Sequence, residues 1–491
     1  MTATPMSAQD ALWLTMDRPN NLMVVDVAVV LAGTLTADDL RSGFAALVQR
    51  HPVFGRRAES RGTSWYWVDD PDFDIDRHVA MVALPPGGQM VDVQRYLAVE
   101  RGRAFDRDHP LWSAVVVGPV IVADGSPGSV VITRFHHAIA DGVRLTQVML
   151  GMLDPTSVGE VPMVSRNGTS GGAFVSVDSL RAGAAETLRV ASTSTRAVAS
   201  ALARAVTNPL GTLTSLGGVA TSGLKAFRHP DRFVDALEVL GIDDHRSVND
   251  MTSVSKLLTS STERTVWTGK PGLAKAVAWS DPFPLEGVKR VARSHGATVN
   301  DVLVAALAGA VKKYLAGRGD DIDEVVWMVP VNLKPFDEEL PEDLGNYFAL
   351  VMLDMPLNGA TPAERIAELR SRMLRIKNSD EPVLTFGLQR AISMSPSVMA
   401  TAVTNFFANK AVGVLTNVPG PRSELSFAGV PVQQVIGFAP CSGDQPLTAT
   451  IFTYNGSVTV GFASDAGLVP DPQTLVTLVV DEVEQMVAGL A

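Results

Sequence analysis

Cysteine is almost absent from this chain: Cys441 stands alone among 491 residues. No intrachain disulfide can form, a zinc site of four cysteines is excluded, and a reducing compartment fits. Long apolar runs are missing too. No window approaches the roughly 18 uninterrupted apolar residues needed to cross a bilayer, and Met1 to Asp10 has neither the basic nor the apolar part of a secretion signal. On this reading the protein is soluble or peripheral. Positive charge is in deficit, with 41 Lys and Arg against 52 Asp and Glu and a formal net charge of -11. That balance argues against nucleic acid as a partner and against bulk attraction to anionic membranes. The phosphate- and metal-binding motifs are absent as well: there is no Walker loop, no dinucleotide glycine fingerprint and no His-Glu-x2-His helix.

What is present is a globular composition, 46% hydrophobic and 19% charged, in a chain too long for one compact core. The expected division is 1–155, 156–272 and 273–491. In the first part apolar and polar residues alternate as strands and helices: Leu22 to Leu31 reads as a strand, Thr36 to Arg50 as a helix, Leu111 to Val122 and Val130 to Phe135 as strands, and Val143 to Leu150 as the start of a helix. In the third part a helix through Val288 to Ser294 stops at Gly296, and Thr298 opens a second helix running to about Leu315. Its strands are Glu324 to Val331, Ala349 to Leu353, Ala411 to Thr416, Thr448 to Tyr454 and Ser457 to Phe462, the last two joined at Asn455-Gly456 as a hairpin. Both parts are α/β layers.

The middle part is different. Pro, Ser, Gly and Thr dominate Asp154 to Gly172, and Val175 to Arg228 carries six Arg or Lys against only Asp178 and Glu186. On a helical wheel Arg181, Arg189, Arg196 and Arg204 fall within an arc of about 140° beside an apolar stripe. Such a basic amphipathic helix either packs as a crossover on its own protein or lies at a membrane or lipid-droplet surface through 178–228. Gly168-Thr169-Ser170-Gly171-Gly172 spells a nucleophile-elbow string, but it lacks the strand before and the helix after that the elbow requires.

The chemistry points to Phe135-His136-His137-Ala138-Ile139-Ala140-Asp141-Gly142, in which two imidazoles, an acid and a glycine follow an apolar strand. An imidazole presented at a strand end is suited to take and return a proton near neutral pH, and an acid four residues on can hold the backbone. With a lone cysteine and no credible serine, a covalent acyl-enzyme has no good nucleophile. Direct transfer between two bound substrates is favoured.

Further motifs accompany the histidines. They are Pro5-Met6-Ser7-Ala8-Gln9-Asp10, His109-Pro110-Leu111-Trp112, Gly296-Ala297-Thr298-Val299-Asn300-Asp301-Val302, Val329-Pro330-Val331-Asn332-Leu333, Leu344-Gly345-Asn346, Thr416-Asn417-Val418-Pro419-Gly420-Pro421 and Asp465-x4-Pro470-Asp471. In this order and with His136-His137-x3-Asp141-Gly142, the chain resembles the bacterial wax ester synthase/diacylglycerol acyltransferase family, which includes the mycobacterial triacylglycerol synthases. It departs at Thr268-Gly269-Lys270-Pro271-Gly272, where relatives usually carry a Gly-His-Arg-Arg-like run.

The resemblance implies two chloramphenicol-acetyltransferase-like, condensation-domain-like halves facing each other across a central substrate tunnel and joined by a helical linker. It implies an acyl-CoA-dependent O-acyltransferase making triacylglycerol from diacylglycerol, or wax esters from long-chain alcohols, with no metal and no cofactor beyond acyl-CoA as co-substrate. His137 would be the general base, His136 its support, Asp141 an orienting group and Gly142 the turn that permits it. Asn300 would polarise the thioester carbonyl, unless its side chain serves only the helix start. Pro110, Leu111, Trp112, Asp301, Gly345, Asn346 and Asn417 would line the substrates, although Pro110-Leu111-Trp112 is more often packing, with Trp112 a wall of the acyl channel otherwise, and Asn417 more often belongs to a structural turn. The place would be the cytoplasm, at the inner face of the membrane or on lipid droplets. Two rivals stay open: a carrier-protein-dependent condensation-type acyltransferase, and a non-catalytic lipid-surface binding protein.

Overall fold

The computed structural model describes residues 3–62, 64–155, 262–332, 344–359, 361–379 and 397–490, with single positions between 340 and 393. The 168–172 string and the basic amphipathic stretch, with the lipid contact expected through 178–228, lie outside the described residues.

The first sheet forms around β2 (Val24–Leu31), whose eight residues are all buried. A strand covered on both faces reads as a continuous apolar run, and Val24-Val25-Asp26-Val27-Ala28-Val29-Val30-Leu31 breaks that run only at Asp26. Asp26 is matched by Arg134, 3.1 Å away, and by Arg101. β2 pairs antiparallel with β7 (Pro127–His136), which pairs with β6 (Trp112–Ile121), and β6 pairs parallel with β5 (Val79–Ala83).

On its other side β2 takes β15 (Val430–Phe438), followed by β14 (Leu425–Phe427) and β8 (Asp154–Pro155), so the sheet has seven strands in the order β5-β6-β7-β2-β15-β14-β8. Two of its strands thus come from late in the chain. β1 (Ala3–Pro5), β4 (Ser64–Asp69) and β3 (Arg56–Arg61) form a small separate sheet.

A second seven-stranded sheet runs β10 (Phe283–Pro284), β17 (Ser457–Asp465), β16 (Leu447–Tyr454), β13 (Gly413–Pro419), β11 (Glu324–Asn332), β12 (Phe348–Pro356), with β9 (Lys275–Trp279) also on β17. Asn455 and Gly456 both have positive φ, 43° and 74°, as the two-residue hairpin between β16 and β17 requires.

Among the described residues the α-helices are α1 (Ala8–Met16), α2 (Ala37–Arg50), α3 (Met90–Arg101) and α4 (Gly142–Leu150), then α5 (Leu285–Ser294), α6 (Val299–Ala316), α7 (Pro362–Lys377), α8 (Ser397–Ala408) and α9 (Pro472–Ala488). Their starts follow capping chemistry: Thr36 with Asp39, Thr298 with Asp301 and Thr361 with Glu364 each make a reciprocal capping box. α6 is buried along nearly its whole length and packs against α5, α7 and α9. Two large apolar cores result, one around each sheet.

Candidate active site

β7 ends at His136, and Asp141 caps α4, so the residues between form a tight loop. The Asp141 carboxylate accepts the Arg144 amide at 2.9 Å with one oxygen and the Tyr347 amide at 2.9 Å with the other. Burial pushes this carboxyl above its ordinary value, against the pull of those two amides. Its own amide donates to Gly345 O at 3.2 Å, and Ala140 makes a parallel bridge to Gly345. The segment Gly345-Asn346-Tyr347 is therefore strapped across the loop, with Gly345 at φ +60°, a conformation that favours glycine.

Asn346 holds the loop from the other end. Its Nδ2 donates to His137 O at 2.9 Å and to Asp10 Oδ1 at 2.7 Å. Asp10 in turn accepts from the hydroxyl of Ser7, the cap of α1, at 2.6 Å. The opening motif Pro5 to Asp10 is thus a helix start that reaches the site.

One turn further along α1, Trp13 stacks on the His137 imidazole with centroids 4.0 Å apart and planes at 24°, and Phe348 lies 5.5 Å away. His137 is only 6% exposed and its Nδ1 is enclosed. Burial pushes the imidazole down to about 4, with smaller upward pulls from its own carbonyl and from Asn346. The ring is neutral at physiological pH, the form that can accept a proton. His136 faces elsewhere: its Nδ1 accepts the Ala138 amide at 3.1 Å and its Nε2 lies 3.5 Å from Asp17.

The remaining motif residues fall into two sets. Asn417, at a position the sequence assigned to a turn, lies in β13, and its Nδ2 donates to Asn300 Oδ1 on α6 at 2.6 Å. Asn300 therefore does not cap α6; Thr298 does, with Asp301 as its partner in the box. Among the described residues no hydrogen bond or ring contact joins this asparagine pair to the histidine loop. The second set is packed away. Trp112 is 1% exposed, its ring stacks on Phe44 and His78, and its indole N–H donates to Phe54 O at 2.8 Å, which leaves no face for a ligand. Pro110 and Leu111 are buried beside it. Gly142 needs no glycine conformation: it is the first residue of α4, has no positive φ, and a Cβ there would meet nothing within 4 Å. The turn expected of it is made by the Asp141 cap.

Sequence reasoning missed Trp13 and Asp17. Asp10, Trp13 and Asp17 follow the i, i+3, i+7 spacing of one helix face, and that spacing was legible.

Two mixed sheets covered by helices make a known class of α/β fold. The solved structure of the wax ester synthase/diacylglycerol acyltransferase from Marinobacter aquaeolei VT8 superposes with a TM-score of 0.63 at 18% identity, covering 99% of each chain. The first condensation domain of the CDA synthetase superposes with a TM-score of 0.54 at 15% identity over 99% of this chain and 96% of that one. In sequence, the wax ester synthase/diacylglycerol acyltransferase catalytic domain matches residues 6–303, and the family's C-terminal domain matches 344–487. The chain belongs to the wax ester synthase/diacylglycerol acyltransferase family. A Mycobacterium tuberculosis protein named "Probable diacyglycerol O-acyltransferase tgs1" is 24% identical over 96% of this chain and 92% of its own length. The chain is accordingly an acyltransferase of this type, in lipid metabolism, for which the family implies acyl-CoA and an acyl acceptor. No helix among the described residues is long and apolar enough to cross a membrane.

Proposed function

We propose that the protein is an acyl-CoA-dependent O-acyltransferase that esterifies diacylglycerol, long-chain alcohols or both, by direct transfer with His137 as general base. The observation that carries this is the neutral, buried His137 imidazole, fixed on one side by Trp13 and through its backbone by Asn346. A proton on Nδ1, turned to the residue's own carbonyl, leaves the Nε2 lone pair to take the acceptor's hydroxyl proton. The alkoxide oxygen attacks the thioester carbonyl; the tetrahedral intermediate collapses, the C–S bond breaks, and the imidazolium returns its proton to the departing thiolate. The products are ester and free CoA thiol. Asn300 uses its oxygen on Asn417, so its amide N–H groups are the donors left to receive the developing oxyanion. Asp141 and Asn346 hold the loop and take no part in the proton transfer.

Mass spectrometry of products decides the acceptor when purified protein is offered one acyl-CoA with diacylglycerol and a fatty alcohol in competition. His137→Ala should form neither ester while remaining folded, and turnover by that variant at the wild-type rate would refute the role given to His137.

A further inference from the structure

The carboxylate of Asp17 is used by no step above, yet three groups converge on it. Asp17 follows α1 directly and its side chain is 12% exposed. Its Oδ1 accepts the Met23 amide at 2.8 Å. Its Oδ2 accepts Arg107 Nη2 at 3.2 Å and faces His136 Nε2 at 3.5 Å. Burial alone would raise this carboxyl; the His136 ring beside it and the bonds from Met23 and Arg107 bring it below its ordinary value instead.

Two consequences reach the catalytic loop by separate routes. Along the first, Met23 is held by Asp17 at its amide and accepts the His137 amide at 2.7 Å with its carbonyl. Along the second, the Ala138 amide donates to His136 Nδ1, so that nitrogen carries no proton and a neutral His136 must be protonated at Nε2, the atom that faces the Asp17 anion. The carboxylate thereby selects the tautomer that lets His136 accept from the backbone on the far side of His137. Arg107 also donates to Leu14 O at 2.9 Å, which ties the end of α1 to the same point.

We propose that Asp17, clamped by Arg107, is a positioning residue that fixes the His136 tautomer and the Met23 carbonyl and so sets the seat of His137. With Asp10 at its start and Trp13 in its middle, α1 then braces the histidine loop at three points. The inference rests on the acyltransferase reading for its effect on rate, and on geometry alone for its effect on the tautomer.

The test uses the full chain labelled with 15N-histidine, in the wild type and in Asp17→Asn, Asp17→Glu and Arg107→Met. Wild-type His136 is expected to give the Nε2–H tautomer. Asp17→Asn should raise the Nδ1–H form and lower kcat about tenfold to a hundredfold with little change in KM, because small misplacements of a reacting group cost rates of that order. Asp17→Glu should restore most of both, and Arg107→Met should give an intermediate loss. A tautomer unchanged in Asp17→Asn, or wild-type kcat in that variant, overturns the proposal. Should Asp17→Asn fail to fold, Arg107→Met against Asp17→Glu decides by the same two readouts. The tautomer measurement needs no substrate, so it stands even if the wild type acylates neither acceptor.

Discussion

Replacing Trp13 with alanine tests whether the indole keeps His137 neutral. Burial holds this imidazole near 4, where a free histidine titrates at 6.5, a difference worth about 3 kcal/mol at 1.36 kcal/mol per unit. The indole covers one face of the ring at 4.0 Å, so Trp13→Ala admits water and lets the value rise toward 6.5. The assay is kcat/KM for ester formation against pH, whose acid limb reports the base in the free enzyme. In the wild type that limb should lie near or below the lowest pH the protein tolerates, because the base form persists down to about 4. In Trp13→Ala it should move up by one to about two and a half units, so that at pH 5.5 the variant loses up to about tenfold relative to its own rate at pH 8. Losing a buried tryptophan costs about 3–5 kcal/mol of stability, so melting curves must first show a folded variant, and Trp13→Phe, which keeps a stacked ring, should hold the limb low. The stability of the wild type carries the matching sign. Between 6.5 and about 4 the unfolded chain binds a proton on this histidine that the folded chain refuses, so the residue subtracts stability as pH falls through that window. A folded Trp13→Ala with an unmoved limb, or a wild-type limb near 6.5, would refute the reasoning.

Asp141→Ala removes the acceptor of two backbone amides and should cost about 2–6 kcal/mol in denaturant unfolding, with most activity lost, at about 1–3 kcal/mol per buried donor left unpaired. Trp112→Phe leaves the Phe54 carbonyl unpaired and should lower stability by about 1–3 kcal/mol while leaving kcat/KM unchanged, since the indole offers nothing to a substrate. Gly142→Ala meets open space at a helix position and should leave the melting temperature unchanged or raise stability by up to about 1 kcal/mol; a marked loss would restore the turn role to this glycine.

The local pattern carried much of this molecule. β2 and β7 were visible as apolar runs, α2 and α6 by Thr36 and Thr298 at their caps, and the β16–β17 hairpin by Asn455-Gly456, because each is encoded by neighbours in sequence. The histidine loop was visible as a strand end. What stayed hidden depends on distant pairing: nothing local in Val430 to Phe438 tells that it joins β2, and nothing in Asn346 that it spans Asp10 and the His137 carbonyl. Gly142 misled for the opposite reason, since a glycine after an acid reads as a turn although the acid's side chain does the capping.

The place of β15 in the first sheet bears on how the protein is made. Ile436 sits opposite Ala28, so β2 emerges from the ribosome long before its neighbour does. At ~5–20 residues per second the wait is on the order of tens of seconds, during which an apolar strand has an unpaired edge. A nascent chain in that condition can pair with another copy of itself. Yield of this protein should therefore respond to chaperone supply and synthesis rate, and chains cut short before Val430 should be lost to aggregation even though the whole histidine loop is already present in them.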